Sequence, residues 1–381
     1  MAVTRSGVRS TIIFCLTALP VVLVSGCSDS SNSSPNPAAD DTPMNQVQYL
    51  GTHNSYHIRA QQDAFDLLSA FYADLARTLD YTHRPLQEQF EMLGIRQIEL
   101  DIFHDPEGGL YANRSVRTLF EESAASNIPA LSEPGLKVFH VQEVDYETTC
   151  YTFVSCLQEV KAWSDANPDH LPITVLVEAK DDAIPDPLNL NFAIPIEFGL
   201  EALNLIDSEI LSVFPTGQLI LPDDVRGEFV TLELAVLSQG WPLLSEVRGK
   251  IMFALDNGGD TRENYIAGHT SLEGRVLFTD SPTGTPEAAF MKKNSPSNPG
   301  EIAALVEQGY MVRTRADADT EQSRTNDTTR REAALSSGAH FISTDYPEPN
   351  LEFSEYQVTI PGGGIARCNP INAEKCNPEL L

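Results

Sequence analysis

The chain has 381 residues and a hydrophobic fraction of 41%, enough to enclose a large apolar core. Its 25 Lys and Arg against 54 Asp and Glu give a formal net charge of -29. This charge argues against a nucleic-acid partner, because binding a duplex depends on basic groups that neutralise phosphates. It also argues against broad electrostatic adsorption to anionic lipid, so a membrane substrate has to be reached by other means.

The first 27 residues have the features of a bacterial lipoprotein signal peptide. Arg5 and Arg9 precede an uncharged, mostly apolar run at 11–24, which is too short for an ordinary membrane span. The run ends in Leu23-Val-Ser-Gly-Cys27, which resembles the lipobox, where the chain is cut before a cysteine that carries the lipid. We therefore expect an exported protein, anchored through Cys27 on the periplasmic or cell-surface side of a bacterial membrane. An ordinary secretory peptide with an incidental Cys27 is the alternative.

The next segment, 28–45, is rich in Ser, Asn, Pro and Asp and carries few apolar side chains. Such a composition cannot bury enough apolar surface to fold, and it predicts a flexible tether. The remaining residues, 46–381, are expected to form a single domain.

Four cysteines of this domain fall into two close pairs. An even number of cysteines in an exported protein indicates disulfides, and we expect Cys150 to pair with Cys156 and Cys368 with Cys376. Metal ligation by the four thiols is the alternative, although neither pair has the CxxC spacing that is typical of zinc sites.

Short apolar runs alternate with helical patterns along the domain. Strands are predicted at 46–50, 95–103, 136–141, 173–179, 250–256, 310–314 and 341–344, with one more at either 275–279 or 288–293. Helices are predicted at 61–79, 86–93, 153–166, 201–213, 302–308 and 331–337, and 181–225 is interpreted as an insertion that contains the helix at 201–213. The alternation predicts a parallel sheet, and eight strands favour an α/β fold of the TIM-type (β/α)8 barrel class, somewhat irregular and with loop insertions.

Polar side chains stand at or near the ends of four of these strands. The set comprises His53, Asn54, Glu99, Asp101, His140 and Glu178. Because the carboxyl ends of barrel strands meet on one face, we expect these side chains to lie close together.

An all-oxygen metal site is the chemistry that this set suits best. Glu99 and Asp101 are two residues apart, so both point to the same face of their strand, and two inward carboxylates are costly unless they bind a cation. With Asn54 and Glu178 they suit Ca²⁺ or Mg²⁺ better than zinc. The two histidines then remain for proton transfer and charge stabilisation.

Each of these residues also has a purely structural interpretation. Asn54 could occupy a left-handed turn, His140 could be satisfied by hydrogen bonds in the core, and Glu178 could form a salt bridge with Lys180. The joint pattern favours the metal site.

The four segments resemble the catalytic barrel of calcium-dependent phosphoinositide-specific phospholipases C, in particular the bacterial secreted branch. His53-Asn-Ser-Tyr56 is similar to the His-Asn-(Thr/Ser)-Tyr motif of that family, and Ile98-Glu-Leu-Asp101 to its Glu-Leu-Asp strand. His140 matches the second histidine, and Glu178 a later metal-binding glutamate. Segments 313–319, 341–347 and 367–370 are similar to that branch as well.

The resemblance implies cleavage of phosphatidylinositol-type membrane phospholipids to diacylglycerol and a cyclic or linear inositol phosphate. One Ca²⁺ ion, preferred to Mg²⁺, would be held by Asn54, Glu99, Asp101 and Glu178. His53 would stabilise charge on the pentacoordinate phosphorus, and His140 would protonate the departing diacylglycerol oxygen. Glu99 is favoured over Glu178 as the general base.

The resemblance leaves substrate binding and partners less defined. Lys180 and Arg315 are candidates for contacts to phosphate, with salt bridges at the barrel rim as the plain alternative. No obligate protein partner is expected.

Two other functions remain open at this point. A glycerophosphodiester phosphodiesterase shares the barrel, the histidines and the carboxylates. In that family an Arg-Gly pair usually follows the first histidine, whereas in this chain Asn54 follows His53. A surface lipoprotein that binds a phosphoinositol group without cleaving it is the non-enzymatic alternative.

Overall fold

Parallel strands alternate with helices in the computed structural model, which describes residues 41–381. The strands are β1 Val47–Thr52, β2 Gln97–Phe103, β3 Lys137–Val138, β4 Ile173–Ala179, β5 Leu219–Ile220, β6 Ile251–Leu255, β7 Leu277–Thr279, β8 Phe290–Lys292, β9 Met311–Arg315, β10 Phe341–Thr344 and β11 Ala366–Cys368. The helices are α1 Gln62–Phe71, α2 Ala73–Thr78, α3 Leu86–Met92, α4 Phe153–Ala166, α5 Leu200–Val213, α6 Pro222–Arg226, α7 Leu232–Ser238, α8 Leu244–Val247, α9 Gly259–Ile266, α10 Pro299–Gln308, α11 Glu321–Thr325 and α12 Thr329–Ser336.

Within the described residues, eight parallel strands form a ring. Hydrogen-bonded neighbours run in the order β8, β9, β10, β1, β2, β4, β6, and β7 pairs in parallel with β6. A single parallel bridge between Asp280 and Phe290 then joins the end of β7 to β8, helped by the Lys292 N–H, which donates to Oδ1 of Asp280 at 2.8 Å. The predicted TIM-type α/β barrel is thus confirmed, and one of its joins consists of only one bridge.

The join between β1 and β2 is also sparse, and it depends on a glycine. Its one registered strand pair is Gly51 with Gln97. A Cβ at residue 51 would lie 2.0 Å from Oε1 of Gln97. The Gln97 side chain can therefore pass between β1 and β2 only because residue 51 is a glycine and has no Cβ. The Gln97 amide donates to the carbonyl of Thr52 at 3.3 Å and so holds the end of β1, where His53 begins.

The predicted third barrel strand, 136–141, is wrong. Only Lys137 and Val138 pair, and they run antiparallel to Phe103 and Ile102 of β2. The chain between β2 and β3 contains short 3-10 turns at Ser115–Phe120 and Pro129–Ser132 and no α-helix, so it folds back instead of crossing over. β4 therefore takes the place next to β2, with six registered pairs from Gln97–Thr174 to Ile102–Ala179.

The ring still has eight strands although 136–141 is not one of them. The sequence left one strand at either 275–279 or 288–293, and both segments are strands. β7 lies within 275–279, and β8 lies within 288–293.

The predicted helix 61–79 is broken at Tyr72, where ψ is 64°, so α1 and α2 are separate helices. The helix expected within the 181–225 insertion is α5.

The core has an alternating pattern around the barrel wall. Ile98, Leu100 and Ile102 of β2 are completely buried in the main apolar cluster, whereas Glu99 and Asp101 point to the opposite side of the strand. The strand β4 is buried on both faces up to Val177 and apolar except for Thr174, as expected for a parallel strand covered by helices.

The domain begins earlier than expected. Thr42, Met44 and Asn45 are buried, and Pro43 forms a bridge with Leu243, so this end of the predicted 28–45 tether is packed against the barrel. The tether prediction is wrong for these residues. The predicted signal peptide 1–27, the lipidation site Cys27 and tether residues 28–40 lie outside the described residues.

Both predicted disulfides are present, Cys150–Cys156 and Cys368–Cys376. Disulfides are typical of exported proteins, and they rule out metal ligation by these four cysteines. Among the helices within 41–381, none combines the length and the apolar character needed to cross a membrane.

Candidate active site

The predicted site residues meet at the carboxyl ends of the barrel strands. His53 and Asn54 directly follow β1, Glu99 and Asp101 lie on β2, and Glu178 lies on β4. His140 follows the short β3, which pairs with the end of β2. The side chains at the ends of β1, β2 and β4 come together because parallel strands in a closed ring end on the same face.

A cluster of acidic side chains occupies one side of this face. The nearest carboxylate oxygens of Glu99, Asp101 and Glu178 all lie within 4.8 Å of one another. Both oxygens of Asp101 are buried without a hydrogen-bond partner among the described residues. Burial raises the pKa of Asp101 well above its usual range, and the charges of Glu178 and Glu99 raise it further, although Lys180 acts in the opposite direction.

Asn54, which follows the end of β1, has a neutral side-chain oxygen without a hydrogen-bond partner in the part of the chain that the structure describes. Its backbone is left-handed, with φ 43°, a conformation that asparagine tolerates better than most residues. Its Nδ2 donates to the Tyr81 hydroxyl at 3.1 Å, which leaves Oδ1 buried with no partner within 41–381. The left-handed turn and a free ligand oxygen are therefore compatible in the same residue.

The donor set fits a hard divalent cation. Glu99, Asp101 and Glu178 crowd three carboxylates together, and such a concentration of buried acidic groups is costly unless cations offset it. Oxygen-only donors of mixed charge are the ligands that Ca²⁺ takes.

Glu99 has surroundings different from those of Asp101. Its Oε2 accepts a short hydrogen bond from Arg313, and its Oε1 lies 3.9 Å from Nε2 of His53. Burial raises the pKa of Glu99 to about 7, because the opposing effect of Arg313 is partly offset by Asp256 and Glu178. A carboxyl group with this pKa exchanges protons readily near neutral pH.

His53 is held between a carboxylate and an arginine. Its Nδ1 lies 2.8 Å from Oδ1 of Asp345, and Arg315 donates to its Nε2 at 3.2 Å. Arg315 also donates to Oδ2 of Asp345 at 3.0 Å. Burial and then the charge of Arg315 lower the pKa of His53 well below its usual value, so the ring is neutral, with its proton on Nδ1 and a lone pair on Nε2.

His140 belongs to a second, separate histidine–carboxylate group. Its Nδ1 donates to Oδ2 of Asp145 at 2.7 Å, so its Nε2 remains available. The same carboxylate accepts hydrogen bonds from Nε2 of His57, at 2.9 Å on Oδ1 and 2.8 Å on Oδ2. Burial lowers the pKa of His140, while Asp145 raises it. For Asp145 burial raises the pKa, but the two histidines outweigh it and hold the pKa below its usual value.

The two candidate substrate-binding residues are both in ion pairs. Nζ of Lys180 lies 3.5 Å from Asp101 and 3.8 Å from Glu178. Arg315 pairs with Asp345, as described above. The rim salt bridges offered as the alternative to phosphate binding are thus present, and both cations border the same site.

Sequence reasoning missed the partners of the predicted residues. Asp345 could have been found, because it directly follows β10 just as His53 directly follows β1, whereas Arg313 lies in the middle of β9. Asp145 and His57 carry no such signal, because both lie in loops whose course the sequence pattern does not define.

Together these groups can carry out acid–base chemistry on a phosphodiester. Two histidines with carboxylate partners flank an oxygen cluster that suits a cation, and cations surround the pocket. The fold and the site define the class of metal-assisted α/β-barrel phosphodiesterases.

The comparison with protein families narrows this class. Residues 42–370 match the profile of the family described as "Phosphoinositide phospholipase C, Ca2+-dependent". The chain therefore belongs to the Ca²⁺-dependent phosphoinositide phospholipase C family, whose activity is the cleavage of phosphatidylinositol-type lipids. A search of curated proteins by sequence finds no match.

Two solved structures of one enzyme, with TM-scores above 0.5, support the fold. The calcium-dependent phosphoinositol-specific phospholipase C of a Pseudomonas species, in a myoinositol complex, is 17% identical with a TM-score of 0.53, over 87% of this chain and 97% of that one. Another crystal form of it gives 16% and 0.51 over the same shares. The Ca²⁺-dependent phosphatidylinositol-specific phospholipase C of Streptomyces antibioticus is 17% identical with a TM-score of 0.49, over 80% of this chain and 95% of that one.

Proposed function

We propose that Asn54, Glu99, Asp101 and Glu178 hold one Ca²⁺ ion, and that the histidine pairs on either side move the protons of phosphatidylinositol cleavage. The observation that carries this proposal is the group of three carboxylates, Glu99, Asp101 and Glu178, whose nearest oxygens lie within 4.8 Å of one another at the ends of neighbouring strands. When bound, Ca²⁺ offsets two of the carboxylate charges, which would otherwise repel the phosphodiester, and lowers the pKa of the inositol 2-hydroxyl.

Two groups in the pocket can take the proton of that hydroxyl. Glu99 remains our choice for the general base, because Arg313 holds its Oε2 in place while its Oε1 lies 3.9 Å from Nε2 of His53. His53 is the second candidate, since its neutral ring keeps a lone pair on Nε2 while Asp345 holds the other nitrogen. Once protonated, His53 would stabilise negative charge on the phosphorus together with Arg315.

His140 has the opposite task. Asp145 accepts a hydrogen bond from its Nδ1 and stabilises the charged ring, so Nε2 can give a proton to the diacylglycerol oxygen. In the first step the inositol 2-oxygen bonds to phosphorus, the bond from phosphorus to the glycerol oxygen breaks, and His140 protonates the leaving oxygen. Diacylglycerol and a cyclic inositol phosphate result, and attack by water on the latter gives the linear phosphate.

Lys180 and Arg315 are proposed to contact the anionic headgroup. Both have part of their side chain exposed, 26% for Lys180 and 13% for Arg315. An incoming phosphate would share these cations with the carboxylates that hold them in the free enzyme.

We further propose that the exported chain is a lipoprotein, cut after its signal peptide and anchored through Cys27. The lipobox-like ending supports this assignment, and its chemistry explains how a protein of charge -29 stays at a lipid surface. Mass spectrometry of the N-terminal peptide tests it, since an acylated Cys27 at the new N-terminus is expected.

Product analysis tests the reaction. The protein lacking residues 1–27 is incubated with phosphatidylinositol micelles and either Ca²⁺ or excess chelator, and phosphorus NMR follows the products. We expect a cyclic inositol phosphate signal that needs Ca²⁺ and vanishes in His53→Ala, while the control His269→Ala, in the loop after α9, keeps it.

No turnover with Ca²⁺ present would reject the proposed residue roles on this substrate. Glycerophosphoinositol would then separate the two remaining functions. Cleavage to glycerol phosphate would identify a glycerophosphodiester phosphodiesterase, and binding without turnover would identify a non-catalytic phosphoinositol-binding protein.

A further inference from the structure

An apolar groove of about 300 Å³ opens beside His140. Its lining comes from four segments: α1 and α2 after β1, the 3-10 turn after β2, the loop after His140, and the Pro-rich chain after β4. Three of these segments follow the carboxyl ends of parallel strands, and the fourth directly follows His140, so the groove lies next to the candidate active site.

The lining has no charged residue, although the chain as a whole is strongly acidic. All fifteen lining residues are aliphatic, aromatic or proline. Several are also well exposed, with Phe71 at 55%, Leu75 at 45%, Leu188 at 44% and Leu119 at 41%. A contiguous exposed patch of this kind marks a binding surface for an apolar partner.

One loop belongs to both the groove and the candidate active site. Val141 and Asp145 exchange backbone hydrogen bonds at 2.9 and 3.1 Å, which closes a tight turn directly after His140. Asp145 holds His140 from the end of this turn, while Val141 and Val144 line the groove. Val144 also packs against the small core of Leu68, so the turn is anchored to the groove wall.

We propose that this groove binds one acyl chain of the lipid substrate; the proposal rests on the proposed function above. The group that protonates the leaving oxygen has to be within hydrogen-bond reach of it, so the diacylglycerol departs on the His140 side of the site. The groove begins one residue further along the chain. The headgroup is placed at the carboxylates and at Arg315 and Lys180, none of which lines the groove.

The size of the groove favours one chain. About 300 Å³ is at the lower end of the volumes of ligand pockets, and the groove would cover only part of a long chain. The rest of that chain and the second chain stay in the lipid phase. Binding of a chain segment draws the lipid partly out of the membrane without any attraction between the acidic protein and anionic lipid.

Chain length in monomeric substrates tests this inference. Dibutyroyl- and dihexanoyl-phosphatidylinositol are compared below their critical micelle concentrations, so that no membrane is present. Each buried methylene is worth about three- to fourfold in affinity, so the two added methylenes of one bound chain should raise kcat/KM about tenfold. In Leu188→Ser and in Leu119→Ser this ratio should fall below about threefold.

Val230→Ser is the matched control, since Val230 is 82% exposed and lies outside the groove. It should keep the wild-type ratio. If both groove variants keep that ratio as well, the groove does not bind an acyl chain. A loss confined to vesicle binding would point to insertion of these side chains into the bilayer and would overturn the proposal too.

A separate measurement keeps this test apart from the proposed function. If the wild-type protein cleaves no inositol lipid, calorimetry with dihexanoylglycerol measures the groove without any reaction. Binding that is lost in Leu188→Ser supports the acyl-chain groove, and no binding to the wild type rejects it.

Discussion

Nδ1 of His53 lies 2.8 Å from Oδ1 of Asp345, although 292 residues separate them in the chain. The contact forms because β1 and β10 are parallel neighbours, with Thr52 opposite Thr344 in the register. The residue after each strand is therefore carried to the same point. The closure of the ring thus supplies the carboxylate that fixes the tautomer of His53.

Removing the negative charge of Asp345 should impair proton transfer by His53 while the packing around the ring stays nearly the same. In Asp345→Asn the amide fills the same space but no longer stabilises a protonated ring, and we expect kcat/KM to fall on the order of 10²- to 10⁴-fold. Steady-state rates with phosphatidylinositol provide the measurement, and Asp260→Asn, on the exposed side of α9, serves as control. A rate within twofold of wild type would show that His53 needs no carboxylate.

His57 should act on the reaction through Asp145, since it touches no predicted substrate position. His57→Leu removes both hydrogen bonds to the carboxylate, and kcat should fall on the order of ten- to a hundredfold, while KM changes little. Asp145 then attracts the protonated His140 more strongly, so the alkaline limb of the pH–rate profile should move to higher pH. His57→Gln keeps one donor and should recover part of the rate. An unchanged pH profile would leave His57 with a purely structural role.

Asp101 should contribute to Ca²⁺ binding and should lower the stability of the metal-free protein. Its buried carboxyl group lies within 4.8 Å of two other carboxylates, so Asp101→Asn, which lowers this crowding of acidic groups, should raise the free energy of unfolding in chelator by about 1 kcal/mol. The same change should abolish the increase in Tm that Ca²⁺ produces in the wild type. Thermal unfolding with and without Ca²⁺ measures both effects. A variant that keeps the full Ca²⁺-dependent increase would exclude Asp101 as a ligand.

His340 should make stability depend on pH, far from the active site. It is fully buried ahead of β10, its Nδ1 accepts from the Val312 N–H at 3.0 Å, and its Nε2–H donates to the Asn45 carbonyl at 2.7 Å. Burial lowers its pKa to about 4, below the 6.5 of an unfolded chain. The unfolded state therefore binds more protons in this range, and the stabilisation, present above pH 6.5, is lost as the pH falls to about 4.

Unfolding in urea between pH 4 and 7 measures this effect. Relative to His340→Gln, the free energy of unfolding of the wild type should decrease by up to about 3 kcal/mol over that range. A difference between the two proteins that stays constant with pH would contradict the assignment.

The sequence alone determined most strand segments of the barrel and the residue types of the site. The predicted strand 173–179 agrees with β4 at both ends, because a run rich in β-branched residues between a proline and a lysine is a local signal. The spacing of Glu99 and Asp101 likewise put both carboxylates on one side of β2, since side chains in any strand alternate. Family motifs carry the same local information, and for that reason they identified the phospholipase C family.

The tertiary structure decided which groups pair. Nothing local shows that the segment at 136–141 turns back along β2, because its apolar pattern is the same in either direction. Nor does the sequence reveal that Asp145 bridges two histidines, or that Arg313 binds Glu99 from 214 residues away. These contacts arise only when the ring closes and loops settle against one another, and they set the protonation states on which the chemistry depends. The sequence thus determined which side chains reach the end of each strand, and the closed barrel decided what each one meets there.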